Sequence, residues 1–152
     1  MTQEDKELLL KDLCARLPYG VKVLDTAEGV NEICELDSIM TSRKYKDKIF
    51  ASLTLPDDSI MVGIEMVKPY LRPMSSMTEE EKKKYNNLKN QFVCRVQDNN
   101  GIHYVVDIDE DSFKLYDWLN AHHFDYRGLI LKGLAIAVTE ENNPYEKEQK
   151  EK

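Results

Sequence analysis

Between positions 2 and 17 the apolar residues recur at helical spacing. Leu9, Leu13 and Leu17 stand four apart, with Leu10 and Cys14 beside them, so a helix with a wide apolar stripe is predicted. Thr2 is a suitable cap, and Glu4 and Asp5 favour the positive end of the helix. Pro18 stops the helix, because the residue before a proline leaves helical geometry, and Tyr19-Gly20 makes the turn. The pattern then changes to short β-like runs at 21–24, 30–36, 49–55 and 60–67. Ile33 and Cys34 are the apolar part of the second run. In the third, Ile49, Ala51, Leu53 and Leu55 alternate with the intervening residues. In the fourth, Ile60, Val62, Ile64 and Met66 share one face. Residues 56–59 form a turn by composition. Short strands with tight connections predict an antiparallel meander, flat or curled into a small SH3-like barrel.

In the second half, Pro69 and Pro73 bracket an extended or tightly turned stretch, and 68–78 is expected to be a joint. Thr78 and Glu81 form a capping box ahead of a surface helix over 79–90. Runs at 92–96 and 103–108 flank Asp98-Asn-Asn-Gly101, a hairpin in which Asn-Gly supplies the positive φ angles. Asp109 or Asp111 caps a helix over 111–123, whose apolar side is Phe113, Tyr116, Trp118 and Leu119. Asp125 caps a short helix over 126–132, stopped by Gly133, and 134–138 is a last strand. The expected fold is one α+β domain over 1–138, followed by a charged mobile tail over 139–152. The Leu9/Leu13/Leu17 stripe packs on the sheet, and Phe113, Trp118 and Leu119 complete the core.

A chain of 152 residues with 41% hydrophobic content suits one domain with a substantial core. The 21 basic residues are outnumbered by 28 acidic ones, for a net charge of −7, which opposes a general nucleic-acid coat. No apolar run approaches the roughly 20 residues of a membrane span. The first residues lack a basic-then-apolar leader pattern, so the expected compartment is the cytoplasm. Cys14, Cys34 and Cys94 are odd in number and widely spaced, and are read as buried thiols.

His122 and His123 with Asp125, near Asp117, carry the residue types for zinc binding or proton relay. Adjacent histidines on a regular helix point about 100° apart and cannot share one ion. Asp125 is equally explained as a cap. The competing reading is a helix end where Trp118, His122, His123, Asp125, Tyr126 and Arg127 form a contact cluster and, if exposed, an interface for a protein partner. Cys14, Cys34, Cys94 and His103 have no metal-ligand spacing. Cys94 and His103 face each other across the hairpin as a nucleophile and base, but nothing marks an oxyanion hole. No catalytic residue, metal or cofactor is therefore assigned. For nucleic acid, the candidates are Arg43, Lys44, Lys46 and Lys48 around Tyr45, with Lys68 and Arg72 beside Tyr70. Residues 68–78 are either a rigid docking surface or scaffold.

Three stretches carry a resemblance. They are Lys11-Asp-Leu-Cys-Ala-Arg-Leu-Pro-Tyr-Gly-Val21, Lys68-Pro-Tyr-Leu-Arg-Pro-Met-Ser-Ser-Met-Thr78 and Asp117-Trp-Leu-Asn-Ala-His-His-Phe-Asp-Tyr-Arg-Gly-Leu129. Together they resemble a protein group of gut Bacteroides-type bacteria and their phages or other mobile elements. The resemblance implies encoding by a prophage or mobile element and carries over no catalytic residue. The expected function is a small non-enzymatic accessory or protein-interaction protein. The alternatives are a nucleic-acid-associated accessory protein, and a hydrolase or metal protein centred on His122, His123 and Asp125. The oligomeric state is left open.

Overall fold

Thr2 opens the first helix, α1 (Gln3–Arg16), its hydroxyl accepting the Asp5 amide at 3.1 Å. A computed structural model describes residues 1–42, 44–45, 48–90, 93–106 and 110–146. Leu9 and Leu13 are fully buried and Leu17 packs against the same core. Cys14, expected inside, is exposed, whereas Cys34 is buried. The reason lies in the helix geometry: at 100° per residue, the buried arc runs through Asp12 and Arg16 and leaves Cys14 outside it. Pro18 sits in a single 3₁₀ turn over Leu17–Tyr19, and Gly20 ends it at φ 64°, a conformation glycine adopts without penalty.

Four strands follow as an antiparallel meander: β1 (Lys22–Asp25), β2 (Glu32–Thr41), β3 (Ile49–Thr54) and β4 (Ser59–Gly63). β5 (Val67–Leu71) returns to the free side of β1, and a two-residue β8 (Ile136–Ala137) adds to β5 in parallel. The six-stranded order is β4-β3-β2-β1-β5-β8, an open sheet with β4 and β8 at its edges rather than a closed barrel. Val23, Cys34, Leu36, Ala51 and Leu53 face α1 and are buried. Ile33 alternates to the other face and is 50% exposed. The expected face of Ile60, Val62, Ile64 and Met66 is interrupted, because β4 ends at Gly63 and Ile64–Met66 is a 3₁₀ turn. That turn buries Ile64 and turns Met66 outward.

The stretch read as a joint begins as strand β5, inside the sheet. Pro69 costs no ladder bond there. Leu71 uses its carbonyl to accept the Val138 amide at 2.8 Å, so the backbone of Leu71, and of Pro69 two residues earlier, faces β8. The β5–β8 pairing starts only at Tyr70↔Ile136, beyond Pro69.

A second, smaller core holds Met77, Leu88, Leu115, Leu119 and Phe124, between α2 (Glu79–Asn90) and α3 (Glu110–Ala121). The capping box forms as read: Glu81 N–H to Thr78 Oγ1 at 3.2 Å and Thr78 N–H to Glu81 Oε2 at 2.9 Å. α3 buries Leu115 and Leu119, while Phe113, expected in the core, is 64% exposed. β6 (Val93–Asp98) and β7 (Gly101–Val106) make a separate hairpin. At its turn the positive φ falls on Gly101 alone, at 118°, and not on Asn100. Residues 126–133 form a run of turns rather than a helix. Asp109 lies outside the described residues, and no helix among those described is long and apolar enough to cross a membrane.

Residues 139–146, expected in a mobile tail, are stitched to the sheet. Tyr145 Oη donates to the Tyr70 carbonyl at 2.8 Å and accepts the Lys22 amide at 3.2 Å, bridging the ends of β1 and β5. Pro144, the residue before Tyr145, is buried.

Candidate functional site

The loop after α3 gathers most of the residues singled out from the sequence. His123 ends the helix with φ 58°, the left-handed stop that reverses the chain. The chain is then pinned to the end of β5: Arg72 N–H donates to the His123 carbonyl and Asp125 N–H to the Arg72 carbonyl, both at 2.8 Å. This turn throws the two histidines apart. The His122 ring packs at a tilt against Trp118, centroids 4.7 Å apart, and the His123 ring lies flat on Tyr145 at 4.2 Å. Among the described residues no three of His, Cys, Asp and Glu converge into an ion site.

Asp125 is buried, and its carboxylate accepts the amides of Leu129 at 2.8 Å and Ile130 at 2.9 Å. It therefore organises the 126–133 turns, as a cap would organise a helix. Asp125→Asn keeps one acceptor and loses the other. It should lower stability by about 1–2 kcal/mol, read as a lower urea midpoint with unchanged slope.

Trp118, His122 and Phe124 line the side toward α2. There the Arg72 guanidinium lies over the Phe124 ring at 4.2 Å and forms a two-bonded pair with Glu81, both bonds at 2.8 Å. Arg72, proposed from sequence for phosphate binding, is thus engaged within the fold. Its hydrogen bonds to Glu81 hold that carboxyl below its ordinary value of 4.5, against the opposing effect of burial. A depressed folded-state pKa contributes stability above 4.5 that is lost as pH falls through the lower, folded value. Arg72→Gln should therefore cost more stability at about pH 6 than at about pH 3, measured by urea melts at both.

Tyr126 and Arg127 point to the opposite side. Tyr126 Oη donates to Asn120 Oδ1 at 3.0 Å, its ring is 5.5 Å from that of Tyr116, and the Arg127 guanidinium lies over it at 5.0 Å. Arg127 Nε also approaches Asp12 at 3.5 Å. Tyr116 is 49% exposed, and Phe113 stands one helical turn earlier on the same face. Tyr19 borders them. Desolvation and then the neighbouring Asp117, its hydrogen-bond partner, hold its phenol above the usual range. The result is an exposed pair, Phe113 and Tyr116, bordered by half-buried Tyr126, whose ring lies between the Arg16 and Arg127 guanidinium groups at 5.5 and 5.0 Å. The six candidates from sequence are therefore split: Trp118, His122, His123 and Asp125 build the loop, and Tyr126 and Arg127 join this surface. Phe113 and Tyr116, on the apolar side that the sequence predicts for the helix, stand outside its core.

Beneath the loop lies a pair the sequence reading passed over. Arg16 is fully buried; it donates to Asp12 at 2.7 and 3.0 Å and to the Phe124 carbonyl at 2.7 Å. The only signal was an acid and a base four residues apart on α1, ordinarily a solvent-facing pair.

Of the basic segment, Lys44 and Lys48 bracket the Tyr45 ring at 5.5 and 5.6 Å and are exposed; Arg43 and Lys46 lie outside the described residues. Lys68 is level with Leu24 and, through it, with Ile33 on β2, whereas the basic loop follows Thr41. Eight residues of strand place the two segments roughly 25 Å apart, so they make no common patch. The side chains of Cys94 and His103 lie outside the described residues. Burial raises the Cys34 thiol, with Asp25 and Glu32 adding to it, which disfavours the nucleophilic thiolate.

Two clefts flank the 139–146 segment. One, of about 510 Å³, lies on the solvent face of the sheet between Ile33, Leu55, Tyr70 and Pro144, with Lys22 and Asn142 at its wall. The other, of about 300 Å³, is polar and lies between Arg72, His122, His123 and Tyr145. No protein-family model, curated protein or solved structure matches the chain.

Proposed function

We propose that the protein is a small non-enzymatic accessory protein that works by binding another protein. The observation that carries this reading is the exposed aromatic face of α3, where Phe113 and Tyr116 stand beside Tyr126 and Arg127. Aromatic residues and arginine supply most of the energy of protein interfaces, because they bury large rigid area and keep a polar tip. α3 spends neither Phe113 nor Tyr116 on its own core, which is filled by Leu115 and Leu119. The resemblance of three sequence stretches to a mobile-element group supports a phage or mobile-element setting.

A photo-cross-linking phenylalanine analogue at position 113 tests this surface. It should trap a discrete protein product in cells, while the same analogue at the exposed Asn86 of α2 should not. Equal labelling from both positions would refute the assignment.

A second reading, nucleic-acid association, is favoured by Lys44 and Lys48 around Tyr45, a cation–aromatic arrangement suited to phosphate and base contacts. On that reading binding falls steeply with salt and is abolished by Lys44→Glu/Lys48→Glu.

A further inference from the structure

Strand β4 is a sheet edge that lacks two of the usual protections. Its sequence, Ser-Ile-Met-Val-Gly, has no charge and no proline, the devices that normally blunt an exposed strand. The opposite edge is only the two-residue β8. Hairpin geometry fixes which backbone groups of β4 point outward. The Leu55 amide donates to the Asp58 carbonyl at 2.8 Å, so hydrogen-bonded pairs alternate from there through Leu53↔Ile60 and Ala51↔Val62. Ser59, Met61 and Gly63 therefore direct their backbone groups away from β3. Ser59 N–H is taken by its neighbour, the Asp58 carboxylate, at 2.7 Å. The N–H and C=O of Met61 have no backbone partner among the described residues. The Met61 side chain is 58% exposed, while Ile60 and Val62 lie half-buried on the α1 side.

We propose that β4 is a docking edge for an extended segment of a partner protein, apolar at its centre and flanked by lysine or arginine. Charge selects this occupant. Exposed Asp57 and Asp58 stand before the strand and Glu65 after it, still 47% exposed in a loose 3.8 Å pair with Lys6, on a chain of net charge −7. A second copy is disfavoured: a symmetric antiparallel pairing centred on Met61 would bring the Asp57/Asp58 end of each strand to the Glu65 end of the other, acid against acid. A basic segment meets opposite charge at both ends while its backbone continues the sheet. This edge is distinct from the α3 surface, so either can fail without the other.

The test is selection from a random 12-residue peptide library displayed on phage, with the intact protein as bait. Wild-type protein should enrich peptides with a β-branched or aromatic centre and basic flanks. Met61→Pro removes the outward N–H and leaves the β3 ladder intact, so it should retain at least tenfold fewer of them. Asp57→Lys/Glu65→Lys, which changes exposed side chains and gives up within the fold only the loose Glu65–Lys6 pair, should lose the basic preference even if the proline variant folds poorly. Phe113→Glu/Tyr116→Glu should leave the selection unchanged. No enrichment over the Met61→Pro bait, or flanks that stay basic with the lysine variant, would overturn the proposal.

Discussion

Asp12→Ala is expected to lower the stability of this protein by about 3–5 kcal/mol, the cost of leaving a buried charge without its counterpart. Arg16 has no solvent exposure, and its guanidinium is held by Asp12 and the Phe124 carbonyl. Removing the carboxylate strands a cation inside the fold; Arg127, 30% exposed, loses the same partner but can turn to water. The matching double variant, Asp12→Leu/Arg16→Met, should recover much of the loss, since a buried pair is often replaceable by apolar residues of similar volume. Urea melts of both variants check this. A double variant no better than the single one would show that the pair contributes through more than mutual neutralisation.

Phe124→Ala should cost a comparable amount, about 3–5 kcal/mol, from lost burial and the cavity left behind. Its ring is fully buried among Met77, Leu88, Leu115 and Leu119, with the Arg72 guanidinium stacked on it. Its carbonyl receives Arg16, so one residue joins α1 to the second core. In a thermal melt the loss is on the order of 10 °C for a chain of this size. Phe113→Ala is the control: exposed, it should change stability by no more than about 0.5 kcal/mol. A large loss from Phe113→Ala with a small one from Phe124→Ala would reverse the assignment of which of the two rings fills the second core.

Local chemistry was legible where it acts over a few residues. Thr2 caps α1, Thr78 and Glu81 form their box, and the alternation from Ile49 to Leu53 predicts β3. What could not be read depends on residues far apart in sequence. Arg16 is buried because Phe124 brings a carbonyl to it from 108 positions away. Pro69 and Pro73 leave 68–73 either extended or tightly turned; the structure takes the extended form, and β8 begins its pairing one residue after Pro69, so no donor is needed there. Residues 139–146 read as a tail by composition. Only the meeting of β1 and β5 creates the gap that Tyr145 Oη fills. At the candidate site the aromatic content was visible, but which rings face inward was not. Helical periodicity placed Phe113 and Leu119 on one side, while the second core takes Leu115 and Leu119 and leaves Phe113 outside.

The most direct test of the central claim is affinity capture from the source cells, with and without nuclease. Wild-type protein is compared with Phe113→Glu/Tyr116→Glu, once both show the same melting temperature. A defined protein partner should survive nuclease on the wild type and be lost on the variant. Identical recoveries from both baits, or a wild-type recovery that disappears with nuclease, would contradict that claim.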